Sequence, residues 1–268
     1  MAVIELIRNR APRWSALTWI IIACAAVFVI VRIAAATGAS AAGGSMAQTL
    51  VDRLALSSDA ATLMSRPWTP LTYMFTHYEV MHLIFNMLWL YWFGTLLLTV
   101  FSGTRLMAVY LTGGLAGAAT YLLFGLTASL TAPHSMVGAS AAVLAVVAAT
   151  AVALPRLRIN LMLIGPVEIR WIALAIVALD AAAIGGTSIG AHIAHLAGAA
   201  AGVLFMIKIR RTATSRPGTV RHRPHNTSGR VGTDDRKQLD MLLDKIRISG
   251  YASLTAEERR TLFEISRK

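Results

Sequence analysis

The 268-residue sequence contains a single cysteine, Cys24. That excludes an internal disulfide framework and any cysteine-based zinc site. Charge is also scarce: 14% of positions are charged, against roughly 25% in an ordinary soluble domain. Too few polar side chains are present to coat a water-soluble globule. Acidic residues are the rarest, 13 against 25 basic ones, which leaves a formal net charge of +12. Such a surplus would suit nucleic acid if it clustered on a folded body. Here 15 of the 25 basic residues follow Ile207, beyond the apolar part of the chain. A basic tail on an apolar body reads as the cytoplasmic extension of a membrane protein, with no nucleic-acid partner. The 56% of hydrophobic residues excludes a disordered chain.

A bilayer core about 30 Å thick takes roughly 20 apolar residues per helix. Six stretches are candidates, the fifth of them short: Ala16–Ala36, Val80–Phe101, Leu106–Leu126, Val137–Leu154, Arg170–Ile184 and Ile189–Ile209. The expected fold is therefore all-α, a polytopic six-helix membrane bundle over residues 16–209, after a short cytoplasmic segment at 1–15. Arg8, Arg10, Arg13, Arg105, Arg156, Arg158, Arg170, Lys208, Arg210 and Arg211 fall on one side of such a bundle. The connections Thr127–Met136 and Gly185–Ile189 carry no charge. The positive-inside rule then puts both termini in the cytoplasm. No mitochondrial-type presequence stands out, and a bacterial plasma membrane is expected.

Residues 210–233 form a basic linker rich in Arg, Pro, Ser, Thr and Gly. Residues 234–268 read as two short amphipathic helices, a small cytoplasmic appendage. Leu239, Leu242, Leu243 and Ile246 repeat at helical spacing, Gly250 fits a C-cap, and Thr255 with Glu258 fits a capping box.

Polar side chains inside a bilayer are costly, so each needs a partner or a task. His82 and Asn86 lie i, i+4 on one face of the second span. Ser140 opens the fourth span directly after Gly138 and Ala139. His192 and His195 lie near the start of the sixth. In the six-span topology His82, Asn86, Ser140 and His195 share the outer half of the bundle. Gly198 and Gly202 continue the His195 face in a small-xxx-small pattern that permits close backbone approach. Ala141, Ala145, Ala148 and Ala149 give the fourth span a matching small face. If these faces meet, the Ser140 hydroxyl comes within reach of a histidine. A serine is a weak nucleophile until a base takes its proton, and histidine, with an ordinary pKa near 6.5, suits that role. An asparagine amide and a second histidine can donate to the resulting oxyanion. Asp180, the one carboxylate within the spans, reads as bonded to a neighbouring helix. A Ser–His dyad is therefore expected, not a triad.

These motifs resemble the rhomboid family of intramembrane serine proteases. "HLIFNMLWLYWFG" matches its H-x-x-x-N motif, "GASA" its nucleophile motif, and "AHIAHLAGAAAG" its H-x-x-G-x-x-x-G motif. The last spacing selects His195 over His192, which becomes a neighbour lining the cavity. "PWTPLTYMFTH" and "TGGLAGAATYLLFG" resemble further family segments. Two departures stand out. Ala141 replaces the glycine after the nucleophile, and Trp68 is followed by Thr69-Pro70 in place of a Trp-Arg pair. The resemblance implies cleavage of single-pass membrane substrates in a hydrated outward-facing cavity. Ser140 and His195 would be catalytic, His82 and Asn86 would form the oxyanion hole, and Gly138, Gly198 and Gly202 would pack at the site. It implies no metal and no cofactor. Two other classes compete. One is a non-catalytic rhomboid-like protein that binds membrane clients, although such relatives generally lack the serine or the histidine. The other is a transporter, against which the absence of an inverted repeat counts.

Overall fold

The computed structural model describes residues 15–36, 45–127, 135–161, 164–184, 189–214, 233–249 and 253–267. The expected N-terminal segment 1–15, apart from Ser15, and most of the linker lie outside these residues, as does the Gly250 cap. The chain divides into two compact units, Met1–Ser215 and Arg216–Lys268.

In the first unit the described helices are α1 (Ala16–Ala36), α2 (Met46–Leu54), α3 (Ala60–Ser65), α4 (Thr69–Thr72), α5 (Val80–Leu98), α6 (Gly103–Thr127), α7 (Ser140–Ala153), α8 (Ile169–Ala182) and α9 (Ile189–Thr214). Two small antiparallel pairs accompany them. β1 (Leu56–Ser57) pairs with β2 (Ser135–Met136), and β3 (Arg158–Leu161) with β4 (Gly165–Glu168). The second pair qualifies the all-α expectation. Gly165 opens β4 at φ +87°, and the two strands pair antiparallel over four residues each.

Each of the six expected spans corresponds to a helix, but among the described residues four helices are long and apolar enough to cross a membrane: α1, α5, α6 and α9. α7 and α8 have 14 residues each, or about 21 Å at the standard rise. Local backbone chemistry explains why α7 is shorter than its apolar run. Gly138 sits at φ +123°, outside helical geometry, so the helix begins only at Ser140. At the other end Pro155 disfavours helical geometry at Leu154, which has φ −128° and ψ 50°.

α7 is the centre of the unit. Residues Ala141 to Thr150 are all buried, as expected of a helix apolar all round. It packs against α5, α6, α8 and α9. Glycines set the distance. A Cβ on Gly198 or Gly202 of α9 would run into the backbone carbonyl of Ala141 or Ala145. On the opposite side, a Cβ on Gly113 of α6 would collide with the Ala145 methyl, and one on Gly117 would lie 2.6 Å from the Ala141 methyl. Two small-xxx-small helices thus clamp the same two alanines. The extra methyl of Ala141 is accommodated because position 117 has none.

The outside is apolar. Trp19, Ile33, Phe85, Trp92, Leu123 and Leu179 are each more than half exposed, a surface suited to lipid and costly in water. The chain is an integral membrane protein.

In the second unit, α10 (Thr233–Ser249) packs against α11 (Ala256–Arg267), and Leu242, Leu254 and Ile265 are buried. The capping box is formed: Thr255 N–H donates to Glu258 Oε2 at 2.8 Å, and Glu258 N–H to Thr255 Oγ1 at 3.2 Å. Lys245 Nζ bonds Glu258 Oε1 at 2.6 Å and holds that carboxyl below the usual range.

The α7–α9 contact gives a direct test. Gly202→Val forces a branched side chain against the Ala145 carbonyl and should lower the unfolding free energy of the purified protein by about 1–3 kcal/mol. SDS-induced unfolding in mixed micelles reads this. An unchanged midpoint would mean that the two helices are not held at this separation.

Candidate active site

The close approach of Ala141 and Gly198 brings together the residues just before them. Ser140 is the first residue of α7, and His195 lies one turn ahead of Gly198 on α9. Ser140 Oγ and His195 Nε2 are 2.5 Å apart.

On the far side of the ring, His195 Nδ1 lies 2.8 Å from Asp180 Oδ1. His192, three residues earlier on the same face, places its own Nδ1 3.0 Å from the same oxygen. An ionised carboxylate only accepts hydrogen bonds. Both histidines therefore carry their proton on Nδ1, which leaves the His195 Nε2 lone pair facing the serine hydroxyl. Asp180 sits in the last turn of α8, where the helix dipole disfavours an anion. The two N–H donors offset that cost.

The sequence-based expectation needs correction here. Asp180 is indeed bonded to a neighbouring helix, but its partner is the candidate base. The constellation is a line of Ser140, His195 and Asp180, not an isolated pair. No motif spacing pointed to this. Asp180 lies 15 residues from His195, on a different helix, across a glycine-containing connection without periodicity.

The serine loop is held by groups to which sequence reasoning gave no role. Gly138 N–H donates to the Tyr73 carbonyl at 3.0 Å. Ala139 N–H donates to His77 Nε2 at 3.3 Å. Tyr73 is itself fixed by its hydroxyl, which donates to the Gly114 carbonyl at 2.6 Å. His77 lies in the segment "PWTPLTYMFTH", and its closeness to His82 was the available signal. Upstream, the Trp68 indole donates to the Arg53 carbonyl at 2.9 Å, which ties the first loop together.

His82 packs over Gly138. A Cβ at that glycine would fall 2.5 Å from His82 Cε1, so only glycine fits both the positive φ and the ring. The His77 and His82 rings meet edge to face at 5.2 Å. Asn86 is buried, and its amide donates one hydrogen to the His82 carbonyl at 2.8 Å. The structure thus places His82 beside the serine loop and Asn86 one turn behind it. The N–H groups in the first turn of α7 have no partner within the helix, and they favour negative charge at Ser140.

Residues 64–212 match the family described as "Rhomboid domain". The chain belongs to the rhomboid family. Residues 233–268 match a second family, described as "Family of unknown function (DUF6576)". The chain is 30% identical over 136 residues to the zebrafish "Presenilin-associated rhomboid-like protein A, mitochondrial", covering 49% of this chain and 35% of the relative. It is 29% identical over 157 residues to the Arabidopsis thaliana "RHOMBOID-like protein 12, mitochondrial", covering 53% of this chain and 46% of the relative. The chain therefore spans less than half the length of the curated relatives it matches.

His77 lies outside the spanning helices, and its burial, followed by the charge of nearby His82, pushes its pKa down to about 4. A group that protonates later when folded stabilises fully above its unfolded pKa near 6.5, and that contribution is lost as pH falls toward 4. The drop corresponds to about 3 kcal/mol. His77→Gln keeps a side-chain acceptor but does not titrate. The stability advantage of the parent protein over this variant should therefore shrink by up to about 3 kcal/mol between pH 7 and pH 4. A constant difference, read by denaturation in micelles, would mean that His77 titrates as an exposed histidine does.

Proposed function

We propose that this chain is an intramembrane serine endopeptidase that cleaves single-pass membrane proteins within or near their spanning segment. The observation that carries the reading is the 2.5 Å approach of Ser140 Oγ to His195 Nε2. Asp180 behind the ring supports it, because the carboxylate fixes the tautomer that leaves Nε2 free.

In the proposed reaction Ser140 Oγ attacks the scissile carbonyl carbon and its proton passes to His195 Nε2. The carbonyl electron pair moves onto oxygen. That oxyanion is met by the Ser140 N–H and by donors from Asn86 and His82. As the imidazolium forms, Asp180 stabilises it without taking the proton. His195 then returns the proton to the leaving amine. Water attacks the acyl-enzyme by the same route and frees the serine.

We further infer six membrane-embedded helices, α1 and α5 to α9, with both termini on the cytoplasmic side. Arg210, near the end of α9, donates to the Ala153 carbonyl at the end of α7 at 3.2 Å. Both helices thus finish at the edge where Arg105, Arg156 and Arg158 lie, which favours that side as cytoplasmic. The bilayer and its single-pass proteins are the proposed partners. Both matched relatives are named as mitochondrial, which lends no support to a bacterial plasma membrane.

In proteoliposomes containing a single-pass test substrate, Ser140→Ala should abolish cleavage and labelling by a fluorophosphonate probe. Asp180→Asn, still folded, should lower kcat by roughly 10²–10⁴. Retained cleavage in Ser140→Ala would remove Ser140 as nucleophile. An inert parent protein would favour a client-binding rhomboid relative instead. Full activity in Asp180→Asn would return the site to a dyad.

A further inference from the structure

His192 has no part in the proposed reaction, yet its Nδ1 meets the same oxygen of Asp180 as does His195 Nδ1. Proton transfer and tautomer control need one imidazole on Asp180, not two. The second one completes a different pattern. Asp180, His192 and His195 each offer a ligand atom within 4.8 Å of the other two, and the two Nδ1 atoms lie 3.0 and 2.8 Å from Asp180 Oδ1. They form two imidazole nitrogens and one carboxylate oxygen converging on a point.

We propose that these three residues bind a divalent transition-metal ion, with Zn2+ the best fit, and that the bound ion switches the catalytic pair off. The inhibition rests on the proteolytic reading; the binding does not.

The donor set suits zinc, which takes imidazole nitrogen and carboxylate oxygen in a tetrahedron and tolerates a water in the fourth position. Zinc–ligand bonds of about 2.0–2.1 Å put tetrahedral ligand atoms about 3.3 Å apart. Two of the edges here are 2.8 and 3.0 Å. Side-chain shifts of a few tenths of an ångström would open them to that spacing. The side chains of His192, His195 and Asp180 remain 16–18% exposed, so the cluster is reachable from outside the protein. Asp180 Oδ2 is buried and has no hydrogen-bond partner among the described residues, which leaves the carboxylate free to turn.

Inhibition follows from proton positions. In the metal-free state each ring holds its proton on Nδ1 and donates it to Asp180. A metal needs the Nδ1 lone pairs, so each neutral ring must carry its proton on Nε2 instead. No proton is gained or lost overall; both rings change tautomer. His195 then presents N–H to Ser140 Oγ and has no lone pair with which to accept the serine proton. The hydroxyl stays protonated and the nucleophile is not activated. An ion that binds while leaving Ser140 in place thus removes the base.

The test uses full-length protein purified without a polyhistidine tag. In Ser140→Ala, Co2+ titration should give the intense visible bands of a tetrahedral complex. Adding His192→Gln should weaken its binding by at least tenfold. The difference between the two proteins isolates this cluster from other histidines, His222 and His225 included. On cleavage, micromolar Zn2+ should inhibit the parent protein reversibly on chelation. Half-inhibition of His192→Gln, measured against its own metal-free rate, should need at least tenfold more zinc. Thermal melts of both variants without metal check that they fold. Absent or octahedral Co2+ bands in Ser140→Ala, or equal Co2+ affinity with and without His192, would overturn the site. Tetrahedral binding with unchanged cleavage in saturating Zn2+ would overturn the switch. A parent protein that binds Co2+ but never cleaves would count against the proteolytic reading alone.

Discussion

The separation of α7 from its neighbours governs everything else in the membrane unit. Apolar side chains gain little by leaving lipid for another helix, so association inside a bilayer depends on close packing and on polar contacts. Here the packing is at backbone range. Gly113 and Gly117 on one side, and Gly198 and Gly202 on the other, face Ala141 and Ala145. The reacting pair sits next to this clamp, Ser140 one residue before Ala141 and His195 one turn before Gly198. A 2.5 Å contact between side chains as short as serine and histidine has no slack. An extra methyl at the clamp would displace one backbone from the other by more than such a hydrogen bond tolerates. The reach of His195 to Ser140 is therefore a packing property of four glycines that touch neither side chain's polar atoms.

A second constraint is electrostatic. A carboxylate within the spans is costly, and its position in the final turn of α8 adds an unfavourable dipole. Asp180 is tolerable there because two imidazole N–H groups meet its Oδ1. The dependence is mutual. Without the carboxylate nothing would select the Nδ1–H tautomer, and His195 would present either nitrogen to Ser140. The same arrangement that stabilises the acid thus orients the base.

Hydropathy and spacing made much of this legible. Each of the six apolar runs corresponds to a helix, four of them long enough to cross a membrane, and the i, i+4 relation of His82 and Asn86 put them on one face. Set against the family's H-x-x-G-x-x-x-G motif, the Gly198–Gly202 spacing pointed to His195 over His192. The tail's capping box was readable because its bonds span three residues. What stayed hidden depends on tertiary placement. Asp180 meets His195 only because α8 folds back beside α9. His77 supports the serine loop from 62 residues away. The pairing of Gly113 and Gly117 with α7 was invisible because several glycines and alanines in that helix offer alternative small faces. The β3–β4 pair escaped because four residues per strand give too short a pattern for alternation to register. The length of α7 was overestimated because hydropathy runs on through loops, although Gly138 and Pro155 already mark its true ends.

The short α7 has a consequence for depth. A 14-residue helix spans about 21 Å, roughly 9 Å less than a hydrocarbon core about 30 Å thick. Its C-terminal end is pinned near an interface, because Arg156 and Arg158 follow within a few residues and Arg210 bonds the Ala153 carbonyl. In the proposed topology the shortfall falls at the other end, so Ser140 lies several ångströms beneath the opposite surface. A helix N-terminus at that depth would ordinarily strand backbone donors in hydrocarbon, at a cost of several kcal/mol each. Tyr73 and His77 accept two of the loop's donors, those of Gly138 and Ala139. The N–H groups at the start of α7 itself gain nothing from the helix. The start of a helix favours negative charge, so the same feature that costs the fold stability suits this point to an anionic group. The proposed hydrolysis would require a polar, wettable point below the surface, and truncating one central helix supplies a place for it without opening the bundle.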